Sequence, residues 1–309
     1  MLSLAAAQTH NLITTFQAVV LGLLQGATEL FPVSSLGHTV LYPTLFRWHN
    51  VVAWQSQPES PWLAFVVMLH VGSAIGLLIY FWREWIAIIR AFFATLGKRR
   101  IETSTERLAW LIICATIPVG ILGLVLEHPI RVALAKPGFA AIFLMVNGVM
   151  LIYAERYRRR AEVRELAQRE GLNSEGGRRL DTLDFKEAGV IGAAQSLALI
   201  PGMSRDGVVM TAGLVRGLDN SDAARFGFLL ATPIILAAGI AKLSDLTGPL
   251  GAGIRGPAII AAIAAAISSI ITVHFLTKYF EKRNLIPFGI YCLVFGAFML
   301  LFVIIVGAP

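Results

Sequence analysis

The chain has 309 residues, 56% of them hydrophobic and only 15% charged, with a mean hydropathy of +0.71. A soluble domain carries about 25% charged residues, so a soluble enzyme and a nucleic-acid-binding module are both excluded. The net charge of +7 is then read as a signal of orientation in a bilayer. Ten-residue alternation of the kind that builds a membrane β-barrel is not seen. The reading is an all-α polytopic membrane protein. Its two cysteines, Cys114 and Cys292, each lie in an apolar run and are read as small buried side chains rather than a disulfide or zinc site. No Lys or Arg precedes Arg47, so no secretory signal peptide is expected.

Residues 12–46 come first. They are apolar but contain Gln25, Thr28, Glu29, Pro32, Ser34, Ser35 and His38. Six stretches long enough to span a bilayer follow at 63–82, 108–126, 138–154, 226–243, 257–276 and 285–306. The linkers 83–107, 155–187 and 277–284 hold six, nine and three basic residues; 47–61, 127–137 and 244–256 hold one, two and one. The positive-inside rule puts the first set in the cytoplasm, and the six spans then alternate. Residues 188–218 begin and end on the cytoplasmic side and are broken by Pro201-Gly202. They read as a re-entrant hairpin, a backbone tolerated only under cover of protein or water. Residues 12–46 make the matching hairpin from the outer face.

The order is therefore a hairpin and three spans, twice, the second set upside down: an inverted-topology repeat of six transmembrane helices plus two re-entrant helical hairpins. The first repeat is placed at 1–157, a charged cytoplasmic linker at 158–187, and the second repeat at 188–309. Local sequence agrees. Gly22 and Gln25 match Gly192 and Gln195; counting on, Ser34 matches Ser204 and Gly37 matches Gly207. The halves differ where chemistry requires it, for Glu29 matches Leu199 and Ser35 matches Arg205. Basic residues in the linker are read as topogenic, with contact to anionic lipid heads as the lesser reading.

Glu29 is the strongest single signal, because an intramembrane carboxylate costs about 2.5–3.5 kcal/mol to insert and is functional by default. Gln25 lies one turn before it on the same helix face, and the two offer hard oxygen ligands suited to magnesium or calcium. Ser34 and Ser35 follow Pro32. One is expected to cap the next helix, and the other to serve as a hydroxyl activated by a nearby base; Ser34 is also a candidate substrate-binding residue. His38 is the expected proton carrier. His70, alone in its span, is read as a structural hydrogen-bonded histidine. In the second hairpin Gly202, Ser204, Arg205 and Asp206 form an expected anion site at a broken helix. Asp206 is open to three readings: clamping Arg205, binding metal, or repelling phosphate. Thr211, Arg216 and Arg225 are given no role.

QGATELFPVSSLGH in the first hairpin, and QSLALIPGMSRDG followed by RFGFLLATPIILAAG in the second, resemble the undecaprenyl pyrophosphate phosphatase (bacitracin-resistance) family of bacteria over essentially the whole chain. The resemblance implies hydrolysis of undecaprenyl pyrophosphate, with other prenyl pyrophosphates as related substrates, and a divalent cation, Mg2+ or Ca2+. It implies a site facing the periplasm of the bacterial plasma membrane; the alternation of spans places both chain termini outside, and a homodimer is left open. It places Gln25 and Glu29 at the metal, Ser35 as nucleophile or hydroxyl activator, His38 as acid/base, and Ser204 and Arg205 on the pyrophosphate. Two departures stand out: Asp206 occupies a position usually Ser, and Val209 one usually Thr. The alternative from a different class is a lipid-phosphate flippase, since inverted repeats with broken helices are carrier architecture. A type-2 phosphatidic-acid phosphatase is set aside, because its second histidine would fall at Thr211.

Overall fold

The computed structural model describes residues 13–55, 62–134, 136–168, 178–241, 247–248, 251 and 253–307. Both chain termini, and 169–177 of the charged linker, fall outside the described residues. What is described is helical, with an isolated bridge between Arg178 and Leu218.

The first hairpin is α1 (Thr15–Leu30) and α2 (Ser35–Leu45). Thr14 opens α1 with a capping box: Gln17 N donates to Thr14 Oγ1 at 3.2 Å, and Thr14 N donates to Gln17 Oε1 at 3.0 Å. Two of the four orphan amides of the helix start are thereby satisfied. Pro32 lies in the turn that ends α1, and Ser34 caps α2 through Gly37 N at 3.2 Å. A short α3 (His49–Gln55) leads to α4 (Trp62–Tyr80), α5 (Trp82–Lys98), α6 (Ser104–Leu134) and α7 (Pro137–Gln168). The second hairpin is α8 (Phe185–Ala194), a 3-10 turn (Gln195–Leu199), the Pro201-Gly202 bend and α9 (Arg205–Val215). Asp184 and Glu187 form its capping box, and Ser204 caps α9 as Ser34 caps α2. The helices α10 (Asn220–Ala241), α11 (Arg255–Phe280) and α12 (Ile286–Val306) complete the chain.

Among the described residues six helices are long and apolar enough to cross a membrane: α4, α6, α7, α10, α11 and α12. They are the six expected spans, and the chain is a multi-pass membrane protein. Large apolar side chains such as Leu124, Ile240 and Ile305 are exposed, as a surface facing lipid requires. Most of the expected linker 83–107 is the regular helix α5, which is not among these spans.

The two halves grip each other reciprocally. Hairpin helix α1 lies against α11 of the second half, and α8 lies against α6 of the first. Each contact is made at the matched glycine. A Cβ on Gly22 would stand 2.3 Å from the Ala261 carbonyl oxygen, and one on Gly192 would stand 2.2 Å from that of Ala115. Small residues permit this backbone approach, the main route to helix association in lipid. The two breaks, at 32–34 and 201–204, are buried in protein, which is what a broken helix at membrane depth needs.

Candidate active site

The hairpin tips touch. A Cβ on Gly37 would stand 3.0 Å from Gly202 Cα, and Gly202 itself, at φ 103°, lies against the Ala140 carbonyl of α7. That positive φ is accessible to glycine at little cost. Asn147 of α7 ties the two turns together. Its Nδ2 donates to Pro32 O at 2.8 Å, and its Oδ1 accepts from Ser204 N at 3.0 Å.

Around this junction the polar residues of both motifs converge. Glu29 is 6% exposed and is the hub. Its Oε2 accepts from Gln25 Nε2 at 2.9 Å and from Ser35 Oγ at 2.5 Å, and its Oε1 accepts from Arg205 Nη2 at 2.5 Å. Arg205 Nη1 lies 3.3 Å from Asp206 Oδ1 but makes no hydrogen bond. The guanidinium thus bridges two buried carboxylates and keeps an unused donor. Of the three readings of Asp206, the geometry matches the clamp: it is fully buried, and Arg205 is the cation beside it. Gly202 and Ser204 build the bend and the cap behind Arg205, and Ser34 does the same in front of Ser35.

His38 is not placed as expected. Its Nδ1 is 2.7 Å from the Ser34 carbonyl, which can only accept, so this nitrogen carries the proton. Its Nε2 is 2.8 Å from the Tyr291 hydroxyl. Both nitrogens are occupied, and neither meets Ser35. The physical reason is the direction of helical side chains, which lean toward the N-terminus. This leaning carries the ring back onto the turn and into a stack with Tyr291 and Phe295, at centroid distances of 5.7 and 5.2 Å. There it braces Ser34, whose φ of 70° is unusual for a residue with a side chain and costs about 1–3 kcal/mol.

The histidine that meets Ser35 is His70 of α4. Its Nδ1 is fixed by Val66 O at 2.8 Å, and its Nε2 lies 3.3 Å from Glu29 Oε2 and 3.5 Å from Ser35 Oγ. The Ser35 hydroxyl therefore stands between a carboxylate and an imidazole, with a guanidinium on the far side of the carboxylate. Such a set can polarise a hydroxyl and hold a phosphate dianion, and a flippase needs only the second.

A family model described as Bacitracin resistance protein BacA matches residues 18–298. The chain belongs to that family. It is 50% identical to undecaprenyl-diphosphatase 2 of Frankia alni, over 93% of this chain and 97% of that protein. It is 51% identical to undecaprenyl-diphosphatase of Mycolicibacterium paratuberculosis, over 91% of this chain and 94% of that protein. Undecaprenyl-diphosphatase of Acidiphilium cryptum is 40% identical over 94% of the chain.

Within this BacA-family chain, sequence reasoning passed over Asn147 and gave His70 only a structural part. Asn147 carried a readable signal, as a lone amide in the apolar span 138–154 whose side chain would need a partner in lipid. His70 carried only its isolation in α4, which a structural histidine shares.

Proposed function

We propose that the protein is an integral-membrane phosphatase that hydrolyses undecaprenyl pyrophosphate to undecaprenyl phosphate and inorganic phosphate. This would recycle the lipid carrier of peptidoglycan synthesis and confer bacitracin resistance. The observation that carries the reading is the contact of Ser35, Glu29 and Arg205 across the two hairpin tips, in a family whose relatives bear the undecaprenyl-diphosphatase name. Other prenyl pyrophosphates share the reacting group and are proposed as lesser substrates.

In this reading the pyrophosphate enters between the tips while its prenyl chain stays in lipid. Arg205 turns its unused Nη1, and the donor freed from Glu29, onto the terminal phosphate. Charge neutralisation at the phosphoryl oxygens is the main catalytic task in such a transfer. The oxygen of Ser35, or of a water held by Ser35, forms the new bond to the terminal phosphorus. Its proton passes to Glu29 or His70, and the bond to the bridging oxygen breaks, releasing undecaprenyl phosphate. With Ser35 as nucleophile, a water then cleaves the phosphoserine and returns the proton. His38 holds the turn that presents Ser35.

Gln25 and Glu29 are the proposed ligands of a divalent cation, Mg2+ or Ca2+. Gln25 Oε1 is buried without a hydrogen-bond partner, an orphan acceptor beside a carboxylate, and this supports the assignment. Such ions take one or two protein carboxylates and complete their shell with phosphate oxygens and water. When bound, the ion would add positive charge at the pyrophosphate. The proposed location is the bacterial plasma membrane with the site open to the periplasm, and the charge pattern of the linkers supports that orientation. Gln25, Glu29, Ser35, His70 and Arg205 all come from one chain, so a homodimer would not be needed to complete the site.

The test is phosphate release from undecaprenyl pyrophosphate by the purified protein in detergent, where transport cannot occur, with and without Mg2+ or Ca2+. Metal-dependent release is expected. A folded protein that releases no phosphate with either ion would favour the flippase.

A further inference from the structure

The helix α5 is not needed to build the site, yet it has a distinctive surface. Positions 82, 86, 89, 93 and 96 follow the 4-3-4-3 spacing of one helical face. They are Trp82, Ile86, Ile89, Phe93 and Leu96, exposed by between 39% and 63%. A second face turns inward against α6. There Ile88 and Thr95 are buried, the Phe92 and Trp110 rings lie 5.3 Å apart, and Trp110 Nε1 donates to Thr95 Oγ1 at 3.0 Å. The third face, at 83, 87, 90, 94 and 97, is Arg83, Ala87, Arg90, Ala94 and Gly97. The helix is therefore sided three ways, toward protein, toward an apolar medium and toward water. A transmembrane helix would have no arginine flank along its length, and a soluble helix would not leave the apolar stripe bare.

The charges on it are nearly all of one sign. Its single carboxylate, Glu84, is held by Arg225 Nε at 2.9 Å, which also fixes the helix against α10. Lys98 and Arg100 are paired with Glu102. Arg83, Arg90 and Arg99 pair with no carboxylate among the described residues; Arg83 lies over the Trp82 ring at 5.2 Å. Beneath the stripe an apolar cavity of about 340 Å³ opens between Trp85, Ile89, Phe93, Ile113, Ile117 and Pro233.

We propose that α5 lies in the headgroup layer as an interfacial helix that collects anionic phospholipid. The stripe from Trp82 to Leu96 is seated among acyl chains, and Arg83, Arg90 and Arg99 bind the phosphate heads. Amphipathic helices with aromatic and aliphatic residues opposite basic ones bind membranes in this way. Each basic residue near an anionic surface is attracted to it by about 1 kcal/mol, a factor of about five in affinity. The helix would gather acidic lipid along this flank of the protein.

The experiment reads Trp82 fluorescence, taken as the difference between wild type and Trp82→Phe. The protein is placed in vesicles carrying acyl-brominated phosphatidylglycerol or acyl-brominated phosphatidylcholine. Quenching is expected from both lipids, and at equal bromine content several-fold more from phosphatidylglycerol. Arg83→Gln/Arg90→Gln/Arg99→Gln should abolish the preference while keeping the quenching and the phosphate release in detergent. The same loss of three charges at Lys278→Gln/Lys282→Gln/Arg283→Gln, exposed elsewhere, should leave the preference intact. Should the triple variant not fold, Arg90→Gln alone should reduce the preference. Equal quenching by the two lipids in wild type, no quenching by either, or a preference that survives loss of the arginines would overturn the proposal.

Discussion

Arg205 is the residue on which the two halves depend most. It touches Glu29 at 2.5 Å and Asp206 at 3.3 Å, so replacing it strands two buried carboxylates. Breaking one buried ion pair costs about 3–5 kcal/mol, and two approach the whole stability of a typical domain, about 5–15 kcal/mol. Arg205→Ala is therefore expected to lower yield and thermal stability as well as turnover, and the informative variant is Arg205→Lys. An ammonium keeps the charge but lacks the planar fork that spans Glu29 and a phosphate together. Its loss of transition-state contact should cost about 10²- to 10³-fold in kcat. Arg205→Ala, where it can be purified, should cost about 10³- to 10⁵-fold, as removal of a catalytic arginine does in phosphoryl transfer. The assay is phosphate release from undecaprenyl pyrophosphate by monodisperse protein in detergent. A folded Arg205→Ala protein that keeps turnover within tenfold of wild type would refute the reasoning.

The two histidines are expected to part company. His70→Gln should lower kcat about 10²- to 10⁴-fold, the usual range for losing an acid/base group, with thermal stability held. Tyr291→Phe, which removes only the hydroxyl on His38, should lower stability by about 1 kcal/mol and leave kcat within a few fold; the reverse pattern would return His38 to the proton-transfer role. Asn147→Leu should lose both turn contacts and, with two buried groups left unpaired at about 1–3 kcal/mol each, show a large drop in melting temperature together with kcat. A variant with normal activity would show that the tips need no tie. At the reciprocal contacts, Gly22→Ala and Gly192→Ala should each lower stability by about 1–3 kcal/mol or more, because each Cβ would stand well inside van der Waals contact with a backbone carbonyl oxygen and the helices must move apart. Gly97→Ala, with nothing within 4 Å, should instead raise stability by about 0.5–1 kcal/mol. Melting curves in detergent should separate the first two from the third.

Much of this was legible because lipid makes composition informative. Charge bias and run length located six spans, and the Pro201-Gly202 break located a hairpin whose two ends share a side. Glu29, Ser35 and Arg205 could be paired at long range because each was a polar residue without reason in an apolar stretch. The rest depended on direction and context. His38 is three residues from Ser35, a spacing that puts both near one helix face. Yet Ser35 is the first residue of α2, and the His38 ring leans back to the Ser34 carbonyl, so spacing alone misled. His70 was hidden because a lone histidine in a span has the same sequence appearance whether or not a carboxylate arrives from another helix. The stripe of α5 went unread because its arginines were counted for topology while its period was not.

The most direct test of the central claim, that Glu29 on one hairpin and Arg205 on the other form one phosphatase site, is a double-mutant cycle. kcat/KM for phosphate release would be measured for wild type, Glu29→Gln, Arg205→Lys and the double variant. Residues acting as a unit are grossly non-additive, so the double variant should be about as slow as the slower single variant. Losses that multiply would place the two residues in independent roles and contradict the account.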